Sequence, residues 1–217
     1  MSYCIIFSIL ITFATTLTIT FKKRIEETMP ISTVCIILII FLAGLLDNLK
    51  IGAILVQILT IIQLIFILIT ILKKDKNGIK EILGRILTPG LLIYTVLFIV
   101  NVIINKGRIF EDYDEFNHWA VIIKNMFIYN TYGTNPETIV RFNEYPPFTA
   151  IFQYLFLAVQ KVYREDTVII AQNVLYLSII IPITKNIKWN KSSLKILTAI
   201  PLIVFMPMLL YKNFFLN

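Results

Sequence analysis

The stretch IGAILVQILTIIQLIFILITIL, Ile51 to Leu72, decides the fold. It carries no charge, and its only polar side chains are Gln57, Thr60, Gln63 and Thr70. It exceeds the roughly 20 residues a helix needs to cross the hydrocarbon layer of a bilayer. Tyr3 to Phe21 and Ile86 to Ile104 approach the same length. Inside lipid every backbone N–H and C=O must be satisfied within its own segment, so such runs are helices. Composition agrees. Apolar residues make up 58% of the chain and charged residues 15%, a balance that excludes an ordinary soluble domain of 217 residues. The expected class is all-α, a polytopic transmembrane helix bundle.

The net charge of +7 is no nucleic-acid footprint, because the basic residues sit in short clusters beside apolar runs, where they orient helices. Lys22, Lys23 and Arg24 follow the first run. Lys73, Lys74, Lys76, Lys80 and Arg85 follow the third, and Lys185, Lys188, Lys191 and Lys195 precede the last. Reading these short loops as cytoplasmic puts the N-terminus outside. The second run, Ile31 to Leu46, and the third are then joined outside by Asp47 to Lys50. Cys4 and Cys35 fall inside membrane runs and read as packing residues, with no neighbouring ligands to make a disulfide or metal pair. The first run lacks a basic n-region and a small-x-small site, so it reads as a retained helix rather than a cleaved signal peptide.

Thr149 to Val162 tests the scheme. It is apolar but only about 14 residues long, short of a span. Were it to cross, the Lys185 to Lys195 loop would land outside, against its charge. It therefore reads as an interfacial helix on the outer surface. Thr167 to Thr184 and Ile196 to Leu210 supply the last two crossings. About six spans result: four within residues 1–104, a large external loop over 105–166 carrying two juxtamembrane helices, and two more within 167–217.

The loop holds eight of the 13 acidic residues, four of them in EDYDE, Glu111 to Glu115. Like charges so close together are costly without a cation or cationic partner. A solvated acidic loop is the plain reading, but periodicity adds structure. From Asp114 to Tyr129 the pattern is that of an amphipathic helix, with Asp114, His118 and Asn125 within about 40° of one another and Asn117 and Lys124 beside them. Phe116, Trp119, Ile122, Ile123, Met126 and Phe127 cover the opposite face. The acids at its N-terminus are favoured as carboxylates by the helix dipole. His118, the one histidine of the chain, suits substrate hydrogen bonding better than catalysis. Trp119, Tyr129 and Tyr132 also fit a membrane–water interface without any function. Arg141, Glu144, Tyr145, Pro146 and Pro147 follow, and the two prolines stiffen the backbone ahead of the next helix.

EDYDEFNHW (Glu111 to Trp119) followed by EYPPFTA (Glu144 to Ala150) resembles the lipid-linked-sugar glycosyltransferases of the GT-C fold. Their first large external loop opens with an acid-rich D-E-x-x-[YH]-W or D-Y-E-x-x-x-H-W motif. About 30 residues later come [YH]-P-P, a juxtamembrane helix and a span. The resemblance covers roughly residues 86 to 210. It implies transfer of a sugar from a polyprenyl-phosphate carrier to a cell-surface glycan, lipid or protein acceptor, at the outer face of a bacterial plasma membrane. An acid of the loop would be the general base. Asp114 matches one form of the motif and Asp112 the other; Asp114 is favoured because it shares a helical face with His118. Glu115, His118, Trp119, Lys124, Arg141, Tyr145 and Pro146 are the implied substrate contacts. Some members hold a divalent cation at this loop and some do not, so metal stays open.

Two departures accompany the resemblance. Three spans precede the one leading into the loop, where many members begin with that span. Members also continue beyond the point matching Asn217, so the expectation is a fragment, or a chain completed by a missing C-terminal half or partner subunit. The rival classes are a transporter or channel subunit and a non-catalytic membrane assembly protein. Against transport, no ionisable residue lies clearly in mid-span and no inverted repeat is visible.

The charge asymmetry predicts residues 105–166 outside and 185–195 in the cytoplasm. In a background lacking Cys4 and Cys35, a cysteine at Lys188 should resist an impermeant thiol reagent on intact cells and react only after permeabilisation. Labelling from outside would overturn the six-span scheme.

Overall fold

The computed structural model describes residues 2–111, 119–132 and 147–190, and every regular element among them is helical. In chain order these are α1 (Ser2–Phe21), α2 (Ile25–Gly44), α3 (Leu49–Leu72), α4 (Lys76–Ile86), α5 (Pro89–Asn105), α6 (Ala120–Tyr129), α7 (Phe148–Gln160) and α8 (Glu165–Ile180). A 3-10 turn, Ile181–Thr184, prolongs α8. α1, α2, α3 and the extended α8 are each long and apolar enough to cross a membrane. The α4–α5 pair, bent by 48° at its break, counts as a fifth only if the two helices are taken as one broken span. The sixth run of the sequence scheme, Ile196 to Leu210, lies outside the described residues.

The side chains are sorted inside out. Large aliphatic residues such as Ile58, Ile61, Ile65, Leu68 and Ile99 are exposed, whereas Thr18, Thr28, Ser32, Asn101, Thr167 and Ser178 are buried. α3 shows the rule in one helix. Leu49, Gly52, Ala53, Val56 and Thr60 form a buried stripe at helical spacing, and nearly everything else on the helix faces outward. A stripe that small and polar would not hold an apolar helix in water, but in lipid it is the ordinary interface. Within it, the α-carbon of Gly52 meets α2 so closely that a Cβ there would sit 2.7 Å from Ile40 Cα and 2.9 Å from Ala43 Cβ.

Buried polar groups find partners across the helices. Thr18 and Thr28 hydroxyls lie 2.9 Å apart, and Thr28 Oγ1 also donates to Ala14 O at 3.0 Å, joining α1 to α2. Tyr94 of α5 and Ser178 of α8 share a 3.0 Å hydrogen bond. Cys4 and Cys35 are free thiols.

The two ends of the bundle are internally consistent. At one, the loop end, Asn130 bonds the α2–α3 turn at Asn48 and Lys50, and Tyr3 Oη lies 3.2 Å from Thr167 Oγ1. At the other, the basic end, Arg24 donates to Ile187 O at 3.0 Å, and the Trp189 indole donates to Leu87 O at 2.9 Å. The segments the charge pattern assigns to one side of a membrane thus meet at one end. Among the described residues, α1, α2, α3, α5 and α8 run between the two ends.

Several features differ from the sequence reading. The second membrane helix begins at Ile25, not Ile31, because Glu27 accepts the Arg24 backbone N–H at 3.1 Å and closes the first turn. Glu26 is thereby drawn inside the bundle, where it pairs with Arg24 at 2.9 Å. The segment read as a basic loop, Lys73 to Arg85, contains a helix, α4, started by Asp75 accepting from Gly78 N at 3.0 Å. The next membrane helix then starts at Pro89, capped by Thr88, rather than at Ile86. Finally, the segment expected as an interfacial helix, Thr149 to Val162, forms α7 and packs against the other helices. α7 buries Ile151, Phe152, Tyr154, Leu155, Phe156 and Leu157 among α1, α2, α3, α6 and α8. At 13 residues it is about 20 Å long, too short to cross alone.

Gly52→Val should therefore wedge α3 away from α2. The expected loss is about 1–3 kcal/mol, the usual cost of overpacking, read as a lower unfolding midpoint in detergent. Gly84→Val, where a Cβ meets nothing within 4 Å, is the control and should change the midpoint far less.

Candidate functional site

The entrance to the acid-rich loop is built from the end of α5 and the start of α8. Asn101 and Asn105 lie one helical turn apart on α5 and form a ladder. Asn105 Nδ2 donates to Asn101 Oδ1 at 2.8 Å, Asn173 Nδ2 donates to the same oxygen at 2.9 Å, and Asn101 Nδ2 donates to Ile170 O at 3.0 Å. Arg108 joins the top of the ladder by donating to Asn105 Oδ1 at 2.8 Å. Between them Gly107 takes φ +77°, a conformation open to glycine and strained for other residues.

That turn is pinned to α8 by two carboxylates. Gly107 N–H donates to Asp166 Oδ2 and Phe110 N–H to Glu165 Oε2, both at 2.8 Å. Asp166 is 2% exposed, yet its charge is matched. Arg164 grips it with Nε to Oδ1 at 2.9 Å and a second bond to Oδ2 at 2.5 Å, and it sits in the first turn of α8, where the helix dipole favours an anion. The chain is thus delivered to Glu111, the first acid of the cluster, along a fixed path.

The far side of the cluster is held by α6. Ala120, Ile123 and Met126 are buried and anchor it. Lys124 is exposed, its ammonium 5.9 Å from the centre of the Tyr163 ring, a cation–π contact. Phe127 packs on the same ring at 6.2 Å. Burial, then the nearby charge of Glu165, pushes the Tyr163 phenol up to about 12, so the ring is neutral at physiological pH.

Asn130 ends α6 in the left-handed region, φ 60°, which asparagine tolerates better than most residues. It is a junction. Its O accepts Leu49 N–H at 3.0 Å, its Oδ1 accepts Lys50 N–H at 2.6 Å and Tyr154 Oη at 3.0 Å, and its Nδ2 donates to Asn48 Oδ1 at 2.9 Å. Two residues on, Tyr132 donates to Phe41 O, and its ring lies 5.8 Å from that of Phe41.

Of the residues singled out in the sequence, Asp112, Asp114, Glu115, His118, Arg141, Tyr145 and Pro146 lie outside the described residues. Trp119 immediately precedes α6 and is half exposed; Lys124 is the exposed cation on Tyr163; Pro147 is the residue at which α7 begins. The described part of the expected amphipathic helix runs from Ala120, and Asn125 is half-buried. The sequence reading missed Asn101, Asn105, Arg108, Asn173 and the Arg164–Asp166 pair. Two asparagines one turn apart inside an apolar run were the available signal, since polar side chains in membrane helices turn inward. Among the described residues no three His, Cys, Asp or Glu side chains converge on a possible metal position.

Comparison of the chain with protein-family models, with curated proteins and with solved structures gives no match.

Removing the clamp should loosen the loop without unfolding the bundle. Asp166→Ala leaves the Gly107 N–H and the Arg164 guanidinium without their acceptor, at a cost of about 1–3 kcal/mol. Limited proteolysis within residues 107–118 should accelerate accordingly. Asp166→Asn, which keeps one acceptor oxygen, should have an intermediate effect.

Proposed function

We propose that the chain is a GT-C-type membrane glycosyltransferase, or part of one, that moves a sugar from a polyprenyl-phosphate carrier to an acceptor at the loop end of the bundle. The observation that carries this reading is the fixed anchorage around EDYDEFNHW. Phe110, just before it, is bonded to Glu165, and α6, just after it, is packed through Ile123 and Met126. An acid-rich stretch whose described neighbours on both sides are fastened to the bundle, followed by Tyr145-Pro146-Pro147, suits a site that must present one carboxylate to a reacting hydroxyl.

The chemistry is a displacement at the anomeric carbon. A carboxylate, Asp114 or Asp112, accepts the proton of the acceptor hydroxyl as its oxygen bonds to that carbon. The bond from the carbon to the phosphate oxygen breaks, and polyprenyl phosphate leaves with inversion. Such a base works within about 2.6–3.2 Å of the proton it takes. Donors near the leaving phosphate stabilise its charge. Lys124 and Arg141 are the candidates, with Glu115, His118, Trp119, Tyr145 and Pro146 contacting substrate. In this reading the external face is the loop end, and a divalent cation is an open component.

One observation bears on the transport alternative. Asn101, Asn105 and Asn173 place polar groups within the helices, as a permeation path would. They are spent on one another and on Ile170 O, which favours a structural role.

Transfer from a polyprenyl-phosphate sugar should be measured in membranes containing the natural full-length protein. Changing the base to asparagine should lower turnover by about 10² to 10⁴, the usual contribution of a positioned general base, with protein level unchanged. The other aspartate should matter much less, which fixes the register. Near-full transfer in both Asp112→Asn and Asp114→Asn would remove the catalytic assignment.

A further inference from the structure

The basic end carries a surface that sugar transfer does not use. α4 leaves the axis of α5 by 48°, so the two helices point in different directions on either side of Leu87 and Thr88. Its faces are unlike. At 100° per residue, Ile79, Ile82, Leu83 and Ile86 fall within an arc of about 100°. Lys76 and Lys80 border that arc on one side and Arg85 on the other. Ile82 is buried, Ile79 and Ile86 are half-buried, and Leu83 remains exposed, as do Leu87 and Leu72. The apolar face therefore docks in part on the bundle, where α4 meets α1, and in part stays open. Cations flanking an apolar arc are the pattern of a helix lying in the plane of a membrane surface.

The charges around it are one-sided. Ten basic and four acidic described residues lie at this end: Lys22, Lys23, Arg24, Lys73, Lys74, Lys76, Lys80, Arg85, Lys185 and Lys188 against Glu26, Glu27, Asp75 and Glu81. The acids are already engaged. Glu26 pairs with Arg24, Glu81 with Arg85 at 2.5 Å, Glu27 closes the first turn of α2, and Asp75 caps α4. Lys73, Lys74, Lys76 and Lys80 are exposed and join none of the ion pairs found among the described residues. Ammonium groups at the level of the headgroups, each on a flexible stem beside apolar surface, fit phosphate diesters of negative net charge.

We propose that α4 is a membrane-surface helix that gathers anionic phospholipid at the basic end of the bundle, with Lys73, Lys74, Lys76 and Lys80 as the headgroup contacts. The lipid would fix the break at Leu87–Thr88 and so the seating of α5. This rests on the membrane character of the chain and not on the sugar-transfer reading.

Trp189 is a built-in reporter, because its half-exposed indole is bonded to Leu87 O at the break. Trp119→Phe leaves it as the sole tryptophan. The full chain is reconstituted in vesicles of phosphatidylcholine with phosphatidylglycerol, brominated identically on the acyl chains of one or the other. Brominated phosphatidylglycerol should quench Trp189 at a mole fraction about two- to five-fold lower than brominated phosphatidylcholine, a preference expected of several lysines near an anionic surface. High salt should erase the difference. Lys76→Gln with Lys80→Gln should bring the ratio toward 1, and Glu81→Gln, which unties Arg85, should raise it. The two variants move in opposite directions, so a loss of fold cannot imitate both. Equal quenching by the two lipids in the parent protein overturns the proposal, leaving the face to a protein partner. A preference untouched by either variant overturns the assignment to α4.

Discussion

In hydrocarbon a polar side chain has only other protein groups to bind, and the rest of this structure follows from that constraint. Thr18 meets Thr28, Tyr94 meets Ser178, and Asn101 gathers Asn105 and Asn173 because nothing outside the helices could receive them. The same constraint explains why the outward face of α3 is almost wholly aliphatic while its inward stripe admits Gly52, Ala53 and Thr60 beside Leu49 and Val56. Apolar surface is not what brings these helices together, since lipid solvates it equally well. Close backbone approach and satisfied polar pairs do that work.

The ends of the bundle obey a different balance, because charge is tolerated there. At the loop end, Asp166 and Glu165 spend their oxygens on backbone N–H groups of the incoming chain. At the basic end, Arg24 joins Glu26 to Ile187 O, and a Cβ at Gly90 would fall on the Glu26 side chain and Thr184 Oγ1. Each end is thus tied by one buried carboxylate with an arginine two residues before it, Arg24–Glu26 and Arg164–Asp166. Breaking either pair leaves an uncompensated charge, which is why such pairs fix geometry more surely than they add stability.

Much of the fold was legible because length and hydropathy report directly on bilayer thickness. Ile51 to Leu72 could be nothing but a membrane helix, and α3 runs Leu49–Leu72. Hydropathy starts the second run at Ile31 because the unbroken apolar stretch begins there, after Glu26, Glu27 and Pro30. A capping carboxylate and an arginine partner reverse that locally, and no periodicity records it. α4 was hidden by charge counting, which treats Lys76, Lys80 and Arg85 as a loop when their spacing around Ile79, Ile82 and Ile86 is helical. For α7, a wide apolar face beside the narrow polar stripe of Thr149, Gln153 and Gln160 does not distinguish a lipid-facing surface from a protein core. The site was legible only as a motif order. Its anchors, Asn130, Asp166 and the Asn101 ladder, depend on partners 24 to 82 residues away in sequence, which no local pattern reveals.

Those anchors share a design. Asp47, Gly107, Asn130 and Lys161 all take left-handed backbone, and each reverses the chain where a helix or its capping turn ends at the loop end. A turn that must be held against its intrinsic preference needs contacts to hold it. Asn130 has five protein bonds and Gly107 has Asp166, whereas Lys161 and Asp47 are held by backbone bonds to Leu157 O at 2.8 Å and to Gly44 O at 3.0 Å. The strongest fixation therefore falls on the two turns that frame the acid-rich stretch, after α5 and after α6. A loop that served only to connect helices would not require both of its shoulders to be fastened to distant elements. That asymmetry is the structural reason to look for chemistry between them.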